Sequence, residues 1–154
     1  MPNQHQQFLQ KAIEKAEESV GLGGFPAGAL IVKDGKIIGQ GVSIGNKLNN
    51  PTSHGEMACI IDACQKLNKS ELNGTTLYAS MQPCIMCFGA AMWSGVSTIV
   101  FACSRDKVSL EYYGGEYDVA EVNKKFLRPI KIVHFAELEG ASLEVVKKWE
   151  SKNK

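Results

Sequence analysis

His54-Gly55-Glu56 and Pro83-Cys84-Ile85-Met86-Cys87 are the two stretches around which the chain is organised. Together they supply one imidazole, two thiols at Cys-x-x-Cys spacing and one carboxylate that a metal does not need. Catalytic zinc takes three protein ligands and leaves its fourth position to water. His54, Cys84 and Cys87 make such a set, and two thiolates with a neutral imidazole balance the charge of Zn²⁺. The metal lowers the pKa of its water to about 7. Glu56 is then the spare acid–base group beside it.

The pattern His-x-Glu followed by Pro-Cys-x-x-Cys is the signature of zinc-dependent base deaminases. On these motifs, and on Gly23-Gly24-Phe25-Pro26-Ala27-Gly28-Ala29, the chain resembles the cytidine deaminase superfamily. The branch is the one holding guanine deaminases, fungal-type cytosine deaminases and tRNA adenosine deaminases. The resemblance runs from Gly23 to the last helix. It implies a three-layer α-β-α fold, a mixed five-stranded sheet flanked by helices. It also implies one zinc ion per chain on His54, Cys84 and Cys87, with Glu56 as the catalytic proton shuttle. The backbone N–H groups of Gly55 and Cys84 would hold the reacting groups, and relatives of this branch are commonly homodimers.

The whole chain sets the bounds. A length of 154 residues suits one domain, 1–154, with a sizeable core. Its composition, 44% hydrophobic and 21% charged, is that of an ordinary globular protein. A net charge of +1 gives no basic footprint of the kind nucleic-acid binders show. Residues 4–10 are too polar for a secretory leader, and no apolar run is long enough to cross a bilayer. Five cysteines, two of them in a metal-type pair, argue against a disulfide scaffold and for a reducing cytoplasm.

Along the chain, Phe8, Ala12, Ile13, Ala16 and Val20 have helical spacing over 4–19. Residues 26–32 and 37–42 read as a strand pair joined by the hairpin signal Asp34-Gly35. Residues 43–52 read as a polar loop, and Met57, Ile60, Ile61, Cys64 and Leu67 as a helix. Strands follow at 74–80, 96–103 and 130–135. Pro83 suits the first turn of a helix closed by Trp93-Ser94-Gly95, and Leu143, Val146 and Trp149 mark a last helix. Strands that follow helices indicate parallel pairing with helices on the sheet faces. The aromatic, Gly-rich segment 104–118 is long enough to be a lid.

Other readings stand beside these. Ser53-x-x-Glu56 is also a capping box, and Cys-x-x-Cys is also a redox pair. A redox pair has no use for His-x-Glu. A fourth ligand from Cys59, Cys64 or Cys103 would make the zinc site structural and inert. These three cysteines otherwise read as small core residues. Small side chains at Ala27, Gly28 and Ala29 serve either packing or close approach to substrate. Phe25 either stacks on a base or fills the core. His5 reads as solvated and His134 as a packed strand residue.

The substrate clues conflict. Trp93, six residues beyond Cys87, matches a tryptophan of the base pocket in guanine deaminases, and Gly-Gly-Phe-Pro resembles theirs with Phe and Pro exchanged. His-Gly-Glu is instead typical of fungal-type cytosine deaminases. Relatives place a base-binding Asn eleven residues before the histidine. That count lands on Ser43, and the nearest asparagine downstream is Asn46. The expectation is a guanine- or cytosine-type free base, or a nucleoside. The alternative is adenosine in tRNA, for which the tail Lys124 to Lys154, with eight basic and four acidic residues, is only modestly charged.

Overall fold

A computed structural model describes residues 3–154. Helix α1 (Gln4–Gly21) starts at Asn3, whose side chain accepts the His5 N–H at 2.9 Å. Strands β1 (Phe25–Lys33) and β2 (Lys36–Ser43) form the expected antiparallel pair. The turn between them has Asp34 at φ 50° and Gly35 at φ 75°, the left-handed pair that a tight hairpin requires. A one-turn helix, α2 (Gly45–Leu48), interrupts the polar loop. Then come α3 (Gly55–Leu67), β3 (Thr76–Met81), α4 (Ile85–Ser94) and β4 (Thr98–Cys103). The segment after β4 coils through two short 3-10 turns into α5 (Val119–Asn123). The chain ends with β5 (Lys131–His134) and α6 (Glu139–Asn153).

The five strands lie in the order β2-β1-β3-β4-β5, antiparallel across β2-β1-β3 and parallel across β3-β4-β5. Alternation along the central strands sends their side chains to two separate cores. Ala29, Ile31, Leu77, Ala79, Ile99 and Phe101 pack against α3 and α4. Leu30, Val32, Tyr78, Val100 and Ala102 pack against α1 and α6 on the opposite face. This is the three-layer α-β-α arrangement.

Glycines set how closely α3 lies on the sheet. A Cβ on Gly41 would overlap the Gly55 carbonyl oxygen and the Cys59 backbone, and one on Gly39 would meet Cys59 and Ala63. The first turn of α3, which carries the motif residues, is therefore seated backbone to backbone on β2. Further along the same helix, the Asp62 carboxylate accepts the Gln40 N–H at 2.9 Å and the Lys66 ammonium at 2.9 Å.

Several local expectations change. Helix α3 is capped by His54, not by Ser53 or Thr52, and no side chain closes its cap. The capping box does not form because Glu56 turns inward and is 6% exposed. Helix α4 begins at Ile85 with Cys84 as its N-cap, so Pro83 lies before the helix and not in its first turn. His5 is half-buried: its Nδ1 lies 2.8 Å from the Tyr78 hydroxyl and its ring packs on that of Tyr78. His134 stacks on Phe101 with centroids 4.9 Å apart. Its Nε2 also reaches Ala102 O and Glu139. Gly28 is a packing residue, with Lys15 and Ala16 of α1 against its Cα.

Gly41→Ala is expected to destabilise the fold by about 1–3 kcal/mol, the range for overpacking a closed interface. A thermal melt reads this directly. A midpoint equal to wild type would show that α3 is not held at backbone contact.

Candidate active site

The N-termini of α3 and α4 converge, and each carries its ligands at its cap and first turn. His54 caps α3, Cys84 caps α4, and Cys87 follows within the first turn of α4. His54 Nδ1 lies 3.6 Å from the Sγ atoms of both Cys84 and Cys87. The three donor atoms lie within 4.8 Å of one another. A tetrahedral site with Zn–S near 2.3 Å and Zn–N near 2.0–2.1 Å has N···S edges of about 3.6 Å, so the donor set fits zinc. Both helix dipoles point their positive ends here, which favours thiolates.

The electrostatics say the same. Between the two sulfurs, Cys87 is the hydrogen-bond donor and Cys84 the acceptor. That hydrogen bond, with one from His54, holds the Cys84 thiol down at about 4. Cys87 is driven up by the same hydrogen bond and by burial. The hydrogen bond to Cys84 also raises His54. A dication takes the place of these protons, since its ligands must be deprotonated. Glu56 is pushed up to about 7, first by burial and then by the neighbouring Cys84 charge. Its carboxylate lies beside the ligand set without joining it.

Among the described residues, the three-residue group contains none of Cys59, Cys64 or Cys103. Cys59 is buried in the core under α3, and Cys103 packs with Ala27, Met81 and Val146. The three-residue group borders a cavity of about 430 Å³. His54, Glu56 and Cys84 form its floor, and Phe25, Ser43 and Asn46 line one wall. Asn46 Nδ2 donates to Gly23 O at 2.9 Å, which ties α2 to the β1 entry.

The roof comes from two segments distant in sequence. Tyr112 and Trp149 close on Phe25, with ring centroids 5.0 and 5.1 Å from it in edge-on packing. Tyr112 donates to Glu150, and Lys154 pairs with Glu111 at 3.1 Å while lying 5.0 Å above the Tyr112 ring. Segment 104–118 is anchored beneath by Gln82. Its Oε1 accepts the Arg105 N–H at 3.0 Å and its carbonyl accepts the Tyr113 hydroxyl at 2.8 Å. Tyr117 accepts the free Ile85 N–H at the start of α4 at 2.9 Å.

Two of the substrate-binding candidates do not line the cavity of their own chain. Trp93 is 87% exposed and outside the cavity of its own chain. Six residues along a helix from Cys87 carry it about 9 Å down the axis, to the far end of α4. Gly55 packs behind the floor, where a Cβ would sit 3.2 Å from Gly28 Cα. Trp149, which does line the cavity, was visible in sequence only as part of a helical repeat, and Asn153, which also lines it, was expected in a fraying end that the structure keeps helical.

A sequence model of the cytidine and deoxycytidylate deaminase zinc-binding region matches residues 2–103. The chain belongs to this family of zinc deaminases. It is 36% identical over 121 residues to guanine deaminase of Bacillus subtilis (strain 168), covering 78% of each chain. It is 39% identical over 95 residues to the tRNA-specific adenosine deaminase of Aquifex aeolicus (strain VF5), covering 62% of this chain and 63% of that one. A structure from a study of A-to-I editing by tRNA:A34 deaminases superposes with a TM-score of 0.79. It is 25% identical and covers 91% of this chain and 99% of that one. The matched region contains His54, Glu56, Cys84 and Cys87. The deaminase's loop 104–118 and helix α6, which roof the cavity, lie beyond it. No helix among the described residues is long and apolar enough to cross a membrane.

Cys87→Ala and His54→Ala are each expected to lose zinc, measured by atomic absorption. Cys59→Ala and Cys103→Ala are expected to keep about one ion per chain, the number a single three-ligand site holds. Loss of zinc from the latter pair would move the site.

Proposed function

We propose that residues 1–154 act as a single deaminase domain whose substrate is a free amino-substituted nucleobase of the guanine type. The observation that carries this reading is the lining of the cavity. It offers hydroxyls, amides and the carboxylates of Glu56 and Glu111, and no Lys or Arg among its described residues. A phosphate entering with a nucleotide would meet two carboxylates in the lining, one of which, Glu111, is already paired with Lys154. The aromatic edges of Phe25, Tyr112 and Trp149 suit a flat, uncharged ring, and about 430 Å³ accommodates a purine. The similarity to guanine deaminase across 78% of both chains adds support. Deamination of an adenosine in tRNA is the second reading, supported by the Aquifex aeolicus relative and by the tRNA:A34 deaminase structure.

Zinc held by His54, Cys84 and Cys87 supplies Lewis acidity that makes water a nucleophile near neutral pH. Glu56 does the proton work. It accepts a proton from the attacking water as oxygen bonds to the amine-bearing ring carbon, and delivers it to the adjacent ring nitrogen. It then carries the second water proton to the amine, the C–N bond breaks, and ammonia leaves an oxo product. A buried carboxyl raised toward neutrality is suited to act first as base and then as acid. Ser43 and Asn46, on the wall beside it, orient the ring.

The outer face of α4 supports a homodimer as the working form. Ile85 and Trp93 are 51% and 87% exposed there, and Ile61 of the neighbouring α3 is 53% exposed. Exposed apolar side chains mark an interaction surface where they join into one patch.

Glu56→Ala is expected to keep its zinc while ammonia release falls by at least about 100-fold, the lower end for a lost general acid–base. An active, zinc-loaded variant would end the proposed role. The substrate is tested by ammonia release from guanine, cytosine, isocytosine, adenine, their nucleosides and a tRNA anticodon stem-loop. Guanine is expected to lead, and activity on the stem-loop alone would establish the second reading. Trp93→Glu is expected to sediment as a monomer where the wild type sediments as a dimer; equal sedimentation of the two would exclude α4 as the interface.

A further inference from the structure

The hairpin of β1 and β2 breaks register where it enters the cavity. Phe25 pairs with Ser43, but the next partners are Gly28 and Val42, so the ladder slips across Pro26-Ala27. Pro26 has no N–H to give to a ladder. The gap is bridged from outside the sheet by Ser19, a fully buried residue in the last turn of α1. Its Oγ lies 2.6 Å from Phe25 O, 3.1 Å from Ser43 O and 3.0 Å from Ser43 N. The Ser43 N–H donates to the hydroxyl, and the hydroxyl proton is shared toward the two carbonyls, with Phe25 O the nearer. Ser19's own carbonyl accepts the Gly24 N–H at 2.8 Å. One residue thus fixes both strand ends that bring Phe25 and Ser43 to the wall, together with the glycine that precedes them.

The clamp is tightly built. A Cβ on Gly24 would sit 2.9 Å from Ser19 Oγ and overlap Ser43 O, so only glycine lets the chain pass. No part of this cluster belongs to the metal site, and Ser19 does not line the cavity.

We propose that Ser19 is a positioning residue for the substrate, acting through the Phe25–Ser43 wall and leaving zinc and Glu56 untouched. The proposal rests on the reading of the cavity as a nucleobase site. Without the hydroxyl, a buried N–H and carbonyl lose their partner and the wall relaxes toward water in the cavity.

The test compares Ser19→Ala with Thr75→Ala in zinc-loaded protein, using guanine and then the rest of the panel as substrates. Thr75 is a matched control, since it also loses a buried hydroxyl bond, 2.6 Å to Leu72 O, but near the opposite end of β3. Ser19→Ala is expected to raise KM roughly tenfold with kcat within about threefold, the signature of lost ground-state orientation. Zinc content is expected to be unchanged and amide exchange at Ser43 accelerated. Thr75→Ala is expected to move thermal stability alone. Ser19→Cys, close in size but weaker in both bonds, covers the case in which Ser19→Ala is too unstable, and its KM is expected to fall between. An unchanged KM or Ser43 exchange rate, or an equal KM rise in Thr75→Ala, overturns the positioning role alone. A wild type that deaminates nothing in the panel overturns the functional reading and the role of Ser19 with it.

Discussion

Charge balance in a small buried volume is the constraint on which the site depends. Two sulfurs, an imidazole nitrogen and a carboxylate converge on ground largely shielded from water. Stripped of a cation, the sulfurs must hold a proton between them, with Cys84 pulled down and Cys87 pushed up. The positive ends of α3 and α4 relieve part of this load, and a dication relieves the rest. Glu56 stays outside the ligand set because His54 and the cysteines already satisfy the metal's charge. Burial, and after it the neighbouring Cys84 charge, raise its affinity for protons.

Such a cluster needs a scaffold that cannot drift. The sheet supplies it through backbone contact more than through side-chain packing. Gly39 and Gly41 let α3 press onto β2, and Gly28 lets α1 press onto β1 from the other side. The residues around the metal are thus fixed by the main chain, whose geometry varies little. The cavity roof is held differently, by aromatic edges and by polar pairs such as Tyr112–Glu150 and Lys154–Glu111. An exposed ion pair such as Lys154–Glu111 contributes little, so the roof is the softer half of the pocket.

The metal ligands, the hairpin and the three layers were legible because each is written locally. Cys-x-x-Cys places two sulfurs on one helix end, Asp34-Gly35 dictates its turn, and strands that follow helices put helices on the sheet faces. The wall and roof were not legible in this way. Trp149 and Asn153 look like any residues of an amphipathic helix until the fold brings that helix over the cavity. Trp93 lies outside the cavity of its own chain because six helical residues beyond Cys87 carry it to the far end of α4. Distant cysteines gave Glu56 a use other than the capping box, and its side chain does turn inward and leaves the cap open. Ser19 was invisible, since a serine in the last turn of a helix is unremarkable unless a register slip lies beside it.

The Asp62 carboxylate, seated on the Gln40 N–H of β2, has a further consequence. Strand β2 lies at a free margin of the sheet, where unpaired amides invite a foreign strand to add on. With that donor already engaged and Lys66 neutralising the acid, templated growth along this margin is frustrated. Strand addition at this point of the β2 edge is thereby disfavoured.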